Sequence, residues 1–508
     1  MRLVKKITLF ILIMSILSAA ASASEVLNIS VDKNSVIKET MGYGIGGEWE
    51  AAIFNVYMNS IPGRITAEEV ASVESQTGFT YDFIRQAGAT SSKYNWKDAL
   101  GYVYNRPISE TASELSHQNT HMFGVPEILK LILQSSGNDK KFIYCIGMQN
   151  DREEDIADLA EFFYGDGTVN YNGGVNWAKL RIERYGIKEP VEIFAWELGN
   201  EYDQGGYHHA FINDEKYVEQ CMRYIAAIRG VNPKAKISVC ATMHHDELPT
   251  RSNRFTIRGL NDLAPYIDYV TIHGYHQVEK AYVTAEAVLS LAKEADRVSG
   301  GRIRIIDTEF GVQGNLTLEE TSALSGDYTN YGPNYFFVGG ATIADYLVRM
   351  ANIESYASGT IYGLAAGTGF SFIHPDSKKG KYTLKPTGMV YTLFKNHCNG
   401  KVIKVATEGF ESLSEPAKVS SAAYLQEDGS INLVLVNMTY DDDFTIKFDK
   451  KYKILEEYRI YGTNGWKSFG LNYAEVKQET TIFDKPETID IYDLQKNNIV
   501  LIKLREVE

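Results

Sequence analysis

The chain of 508 residues carries a net charge of -14, a balance that argues against nucleic acid or a heavily sulfated glycan as partner and favours a neutral one. That length accommodates one large barrel and a smaller module. Its four cysteines, Cys145, Cys221, Cys240 and Cys398, are scattered without a C-x-x-C pair, which argues against a disulfide framework and reads them as core thiols.

Residues 1–23 read as a signal peptide: a basic start, an almost wholly apolar run over 7–17, and the small-x-small site Ala21-Ser22-Ala23. The apolar run is shorter than the ~20 residues that span a bilayer, and no later run is longer. The mature protein is therefore expected to be soluble, with no membrane contact after cleavage, and to be secreted, periplasmic or at the cell surface. Residues 24–36, with Leu27, Ile29 and Val31 alternating with polar neighbours, offer a strand to a C-terminal sheet. Gly42-Tyr43-Gly44-Ile45-Gly46-Gly47 is glycine-rich but is not G-x-G-x-x-G, so it announces no nucleotide. It reads either as a tight loop carrying Glu48 and Trp49 to a barrel mouth or as a plain structural turn.

Strand-like runs follow at 83–85, 141–146, 191–196, 236–240, 269–273, 303–306 and 359–364. Helical spacing lies between them at 125–134, 156–163, 215–229, 284–298 and 341–355. This alternation predicts an α/β fold, a (β/α)8 barrel over 37–395. Past residue 391 the pattern changes to short alternating strands at 419–426, 431–436, 444–448 and 499–504, divided by turn residues such as Asp441-Asp442-Asp443. A C-terminal antiparallel β-sandwich over 396–508 is expected.

Two apolar runs end in carboxylates. Phe194-Ala195-Trp196-Glu197-Leu198-Gly199-Asn200-Glu201 leaves its strand at Gly199, and Arg304-Ile305-Ile306-Asp307-Thr308-Glu309 repeats the arrangement. Side chains at the C-terminal ends of barrel strands line active sites. Counting strands puts Glu201 on the fourth and Glu309 on the seventh. Glycoside hydrolysis with retention needs one carboxyl to protonate the leaving oxygen and a second, ~5–5.5 Å away, to attack the anomeric carbon. Glu201 suits the acid/base and Glu309 the nucleophile. Tyr275 is placed to donate to Glu309; His273 is placed to orient a carboxylate or bind a hydroxyl, and either residue would serve equally as a rim residue satisfied by backbone.

These segments resemble glycoside hydrolase family 51, the retaining α-L-arabinofuranosidases. The likeness runs through Arg85-Gln86-Ala87-Gly88-Ala89-Thr90, Tyr94-Asn95-Trp96, the Glu201 strand, Ile272-His273-Gly274-Tyr275 and the Glu309 strand, in the family's order. It implies Glu201 as acid/base, Glu309 as nucleophile, Asn200 on the hydroxyl next to the anomeric centre, and Glu48, Arg85 and Tyr275 as supporting contacts, with His273 in the segment that corresponds to the family's histidine and active-site tyrosine. Two departures stand out. The early strand lacks the family's Arg-x-Pro-Gly-Gly-Asn, with Thr90 where an amide would meet the sugar, and Asp307-Thr308-Glu309-Phe310-Gly311 replaces Asp-Glu-Trp-Asn.

The expected partner is thus a carbohydrate, an oligo- or polysaccharide of plant type, with no cofactor and no metal. His208-His209 and His244-His245-Asp246 show no H-E-x-x-H or spaced ligand pattern and read as loop residues. Trp96, like Trp49, reads as a sugar platform or as packing beneath a loop. Two rival functions remain open at this point: a related barrel glycosidase acting on a pyranoside (β-xylosidase, β-glucuronidase or endo-glucanase), and a carbohydrate-binding protein on an inactive barrel.

Overall fold

A computed structural model describes residues 25–47, 74–86, 94–102, 105–107, 121, 124–134, 140–148, 151–191, 193–202, 214–241, 257–313, 333–362, 373–376, 381–409, 418–439, 442–463 and 476–507. Residues 1–23, read above as a signal peptide, Glu48, Trp49, residues 87–90, His208, His209 and residues 244–246 lie outside them.

Eight strands form a closed parallel barrel: β2 (Tyr43–Gly47), β3 (Phe83–Gln86), β4 (Lys141–Ile146), β5 (Ile193–Leu198), β6 (Ile237–Cys240), β7 (Tyr269–Ile272), β9 (Arg304–Gln313) and β10 (Tyr356–Tyr362). Closure is made by β10, which pairs in parallel with both β9 and β2. Around the barrel lie α1 (Val125–Gln134), α2 (Glu153–Tyr164), α3 (Trp177–Tyr185), α4 (Asp214–Val231), α5 (Ile257–Leu263), α6 (Ala281–Ser299) and α7 (Phe337–Ala351), followed by α8 (Pro386–His397). The short β8 (Tyr275–Gln277) extends the sheet above β7 by pairing with the far end of β9.

Strand alternation divides the apolar residues between two cores. Ile143, Ala195, Tyr269, Ile306 and Ala357 fill the lumen, while Tyr144, Trp196, Leu198 and Ile305 face the helices in one continuous cluster. Trp96 belongs to that outer core: it is fully buried, its rings lie against Trp177 and Phe162, and its Nε1 donates to the Asp155 carbonyl. It is packing rather than a sugar platform. Helix α3, too polar and short to stand out by periodicity, is defined by its ends. Asn176 accepts from the Lys179 amide at 2.8 Å, and Gly186 closes the helix in the left-handed region.

The second module is an antiparallel sheet curled on itself. β1 (Glu25–Glu39) pairs antiparallel with β13 (Lys401–Glu408) and parallel with β16 (Phe444–Gly462), while β14 (Val419–Leu425), β15 (Ile431–Asn437) and β19 (Asn498–Glu506) complete the ring. β17 (Val476–Ile482) and β18 (Thr488–Leu494) hang on β16. β11 (Ile373–Asp376) and β12 (Lys381–Leu384) form a separate hairpin. Leu27, Ile29, Ile403, Leu433, Ile446 and Ile502 lie in the enclosed core. Tyr424, Val434 and Leu501 face outward and join the barrel's helical core, which docks the module on α7. Lys38 pins the junction: its ammonium donates to the carbonyls of Met350, Ile353 and Tyr356 at 2.6–2.8 Å, at and just beyond the end of α7. All four cysteines are buried and free.

Candidate active site

At the C-terminal end of the barrel the structure brings together Arg85, Asn200, Glu201, His273, Tyr275 and Glu309, with Glu197 and Thr308 beneath them. Glu48 is outside the described residues. Each arrives by a definable backbone device. Beyond β5, the fourth barrel strand, Gly199 takes φ 92° and Glu201 φ 53°. A Cβ on Gly199 would lie 2.1 Å from the Tyr202 ring, so glycine is required there. Glu201 has no such freedom; holding it in the left-handed region costs roughly 1–2 kcal/mol, which the fold meets in order to aim this carboxylate. On β9, the seventh strand, the register against β10 slips: Gly359 opposes Asp307 and Ile361 opposes Phe310, so two steps on one strand match three on the other. The extra residue is a bulge, and it lets both Thr308 and Glu309 reach the site instead of alternating away from it.

Arg85 is the hub. Its Nε and Nη2 make a bidentate pair with Glu197 at 2.7 and 2.9 Å, Nη2 also donates to Asn200 Oδ1 at 2.8 Å, and Nη1 donates to Glu309 Oε1. Thr308 Oγ1 donates to Glu197 at 2.8 Å, and the Tyr275 hydroxyl to Glu309 Oε2 at 2.7 Å. Arg85 and Glu197 are wholly buried. Burial alone would push the Glu197 carboxyl up, but Arg85 and His273 outweigh it and hold Glu197 below the usual carboxylate range. Opposite Arg85, His273 Nδ1 lies 2.9 Å from Glu201 Oε1 and 3.6 Å from Glu309 Oε2. Its Nε2 sits 3.9 Å from Glu197, an ion-pair separation rather than a hydrogen bond. Burial works against charge on this imidazole, yet Glu309, Glu197 and Glu201 together raise its pKa to about 10, so it carries a proton at neutral pH.

Two cations, Arg85 and His273, therefore face three carboxylates, Glu197, Glu201 and Glu309. The cluster balances when it holds one further proton, and Glu201 is the carboxylate with the most solvent access, its side chain 18% exposed against 6% for Glu309. One ligand atom each of Glu201, His273 and Glu309 lie within 4.8 Å of one another. That set could grip a cation, but Arg85 already supplies positive charge to Glu309, and the arrangement suits proton transfer between closely spaced carboxyls.

Glu197 is the functional residue that the sequence reading quoted without assigning. The signal was present: Ala195 and Glu197 share the lumen face of β5, and a carboxylate on a lumen face requires a buried cation. Removing Glu197 takes away both bonds of the bidentate pair and leaves the buried Arg85 guanidinium with Glu309 and Asn200 alone. Glu197→Ala is expected to lower unfolding stability by roughly 3–5 kcal/mol, read from urea titration; a loss within a few tenths would refute the hub role.

A family model described as the α-L-arabinofuranosidase 1 domain matches residues 79–292. The chain is 23% identical over 395 residues to a probable α-L-arabinofuranosidase C of Aspergillus clavatus, covering 71% of this chain and 74% of that one. It is 24% identical over 185 residues to an intracellular exo-α-(1→5)-L-arabinofuranosidase of Acetivibrio thermocellus, where it spans 34% of the relative's length and 36% of its own. In fold it superposes on the crystal structure of an α-L-arabinofuranosidase from Thermotoga maritima in complex with arabinose. The TM-score is 0.73, with 19% identity over 95% of this chain and all of that one.

Proposed function

From the premise that the chain is a glycoside hydrolase family 51 α-L-arabinofuranosidase-like protein, we propose that it hydrolyses glycosidic bonds with retention by double displacement, removing α-L-arabinofuranosyl or related residues from plant-type polysaccharides. The observation that carries this reading is the close approach of Glu201 and Glu309, with one oxygen of each carboxylate within 4.8 Å of the other. Retaining pairs stand ~5–5.5 Å apart, whereas inverting pairs need ~6.5–9.5 Å to admit a water between them.

The surroundings of the two carboxyls differ as the two roles require. Arg85 and Tyr275 each donate to one oxygen of Glu309, which fixes the orientation of this carboxylate for attack. Glu201, beside His273 and the most exposed of the three carboxylates, takes the further proton that balances the cluster and passes it to the leaving oxygen as Glu309 bonds to the anomeric carbon and the C–O bond breaks. Water then gives its proton back to Glu201, its oxygen displaces Glu309, and the enzyme returns to its starting state. Asn200 is oriented by Arg85 through Oδ1, which turns its NH2 group to the substrate side as a donor for a neighbouring hydroxyl.

Thr90, standing where arabinofuranosidases carry an amide, keeps a pyranoside-cleaving activity as the second reading. A panel of aryl glycosides decides between them. Release from the α-L-arabinofuranoside at kcat/KM well above the β-D-xylopyranoside and β-D-glucuronide is expected; the reverse order would overturn the sugar assignment, and no release from any would overturn glycosidase function. The basic and apolar N-terminal segment supports export of the mature enzyme, tested by sequencing the N-terminus of protein recovered outside the cytoplasm.

A further inference from the structure

Two of the donors that face the catalytic carboxyls come from a single tripeptide. His273 reaches Glu201 at 2.9 Å and Tyr275 reaches Glu309 at 2.7 Å, and the residue between them is Gly274. This tripeptide lies largely outside the sheet: β7 ends at Ile272 and β8 begins at Tyr275. Its central peptide groups are held instead by side chains. The Gly274 N–H donates to Asp307 Oδ1 at 3.0 Å, and the other oxygen of Asp307 accepts from the Tyr346 hydroxyl of α7. The Gly274 carbonyl faces His276 Nδ1 at 2.7 Å. Burial lowers the His276 pKa to about 4, so the ring is neutral at working pH and its Nδ1–H is the donor. The same imidazole stacks on Tyr346, ring centroids 4.7 Å apart.

Asp307, Tyr346 and His276 thus form one buried unit, each at most 2% exposed. The fit leaves no room for a side chain: a Cβ on Gly274 would lie 2.2 Å from Asp307 Oδ2 and 2.4 Å from the Tyr346 oxygen. Asp307 also lies on the nucleophile's own strand, two residues before Glu309 and directly opposite Ile272 in the ladder. A shift of Gly274 relative to β9 would move His273 and Tyr275 together, and with them the spacing of acid/base to nucleophile.

Resting on the retaining-glycosidase reading above, we propose that Asp307 is a positioning residue. With Tyr346 and His276 it clamps the Gly274 backbone and so sets the distance between Glu201 and Glu309. No sugar need touch it. Effective catalysis tolerates little misplacement, and an error near 1 Å can cost roughly 10²-fold in rate.

The test compares wild type with Asp307→Ala, Asp307→Asn and Tyr346→Phe on the best aryl glycoside, with kcat expressed per active site titrated by the burst of aryl alcohol. Asp307→Ala is expected to lose roughly 10²-fold in kcat with KM little changed. Asp307→Asn, which keeps an acceptor for the Gly274 N–H, should recover most of that loss, and Tyr346→Phe, which keeps the ring on His276, should fall between. A merely structural Asp307 would lower thermal stability and the yield of active sites while leaving kcat per site unchanged; that result overturns the proposal. Should Asp307→Ala not fold, Tyr346→Phe decides, since wild-type kcat in that variant also overturns it. A wild-type protein that cleaves no glycoside removes the reading beneath the proposal and the proposal with it, whereas active wild type with unaffected variants removes the proposal alone.

Discussion

Glu309→Ala is expected to lower kcat on every substrate, activated or not, by at least roughly 10⁴-fold, a loss of about 5 kcal/mol in transition-state stabilisation. Among the described residues, neither Asn200 nor Glu197 can take over. Asn200 has no charge, and Glu197 is held by both arms of the Arg85 guanidinium and by Thr308 at the floor of the site. The protein itself should fold, because Arg85 keeps its bidentate partner when Glu309 is gone. The diagnostic is the action of azide. An anion entering the space left by the Glu309 side chain attacks the face that the nucleophile used, so any restored product should be a glycosyl azide of inverted configuration. Circular dichroism of the folded variant together with steady-state rates checks the expectation; a loss under tenfold would place the nucleophile elsewhere.

Glu201→Ala should behave differently, and the difference is the second large effect. A glycoside whose leaving group needs a proton is expected to lose roughly 10²–10⁴-fold in kcat/KM. A dinitrophenyl glycoside, which leaves without one, should lose little in that parameter. Its second step loses the general base, so turnover should show a burst followed by a slow steady state. Azide should raise that steady state and give a glycosyl azide of retained configuration. Alanine is the right replacement at φ 53°, since it keeps the same backbone strain as glutamate whereas glycine would release it. His273 loses its 2.9 Å partner but remains 3.6 Å from Glu309, so the imidazolium is not stranded. Equal losses on good and poor leaving groups would contradict the acid/base assignment.

Much of the barrel was legible because buried parallel strands are short apolar runs and their helices are amphipathic. The residues of α1 and β4 fall where periodicity puts them, and the strand count places Glu201 and Glu309 on the fourth and seventh strands as observed. Boundaries were poorer where no Gly or Pro marks an end: α7 begins at Phe337 and stops at Ala351, about four residues earlier than its spacing suggests, with Asn352 capping it. In the second module the strands that were missed are the polar ones. β17 and β18 expose most of their side chains, so alternation carries little contrast. β16 runs nineteen residues through an exposed Asp449-Lys450-Lys451 segment that reads locally as a stop. Pairing with β1 and β18 before that segment and with β18 and β19 after it carries the strand across.

At the site, residue types were readable and their couplings were not. Arg85, Asn200, Glu201, His273, Tyr275 and Glu309 converge as the motif order implies, but the β9 bulge that turns Thr308 and Glu309 inward together is a property of register against β10. The charge on His273 follows from three carboxylates brought from strands four and seven, which no local pattern records. Likewise the glycine of His273-Gly274-Tyr275 looks like an ordinary turn residue until Asp307 and Tyr346 are seen to occupy the space beside it.

The claim on which the rest depends is that Glu309 becomes covalently glycosylated. Mixing the Glu201→Ala variant with a dinitrophenyl glycoside of the preferred sugar, then quenching within the burst, should trap that species for intact-mass and peptide analysis. One glycosyl unit per chain, mapped to Glu309, is the predicted result. An unmodified chain at full burst amplitude, or a glycosyl group on another residue, would contradict it.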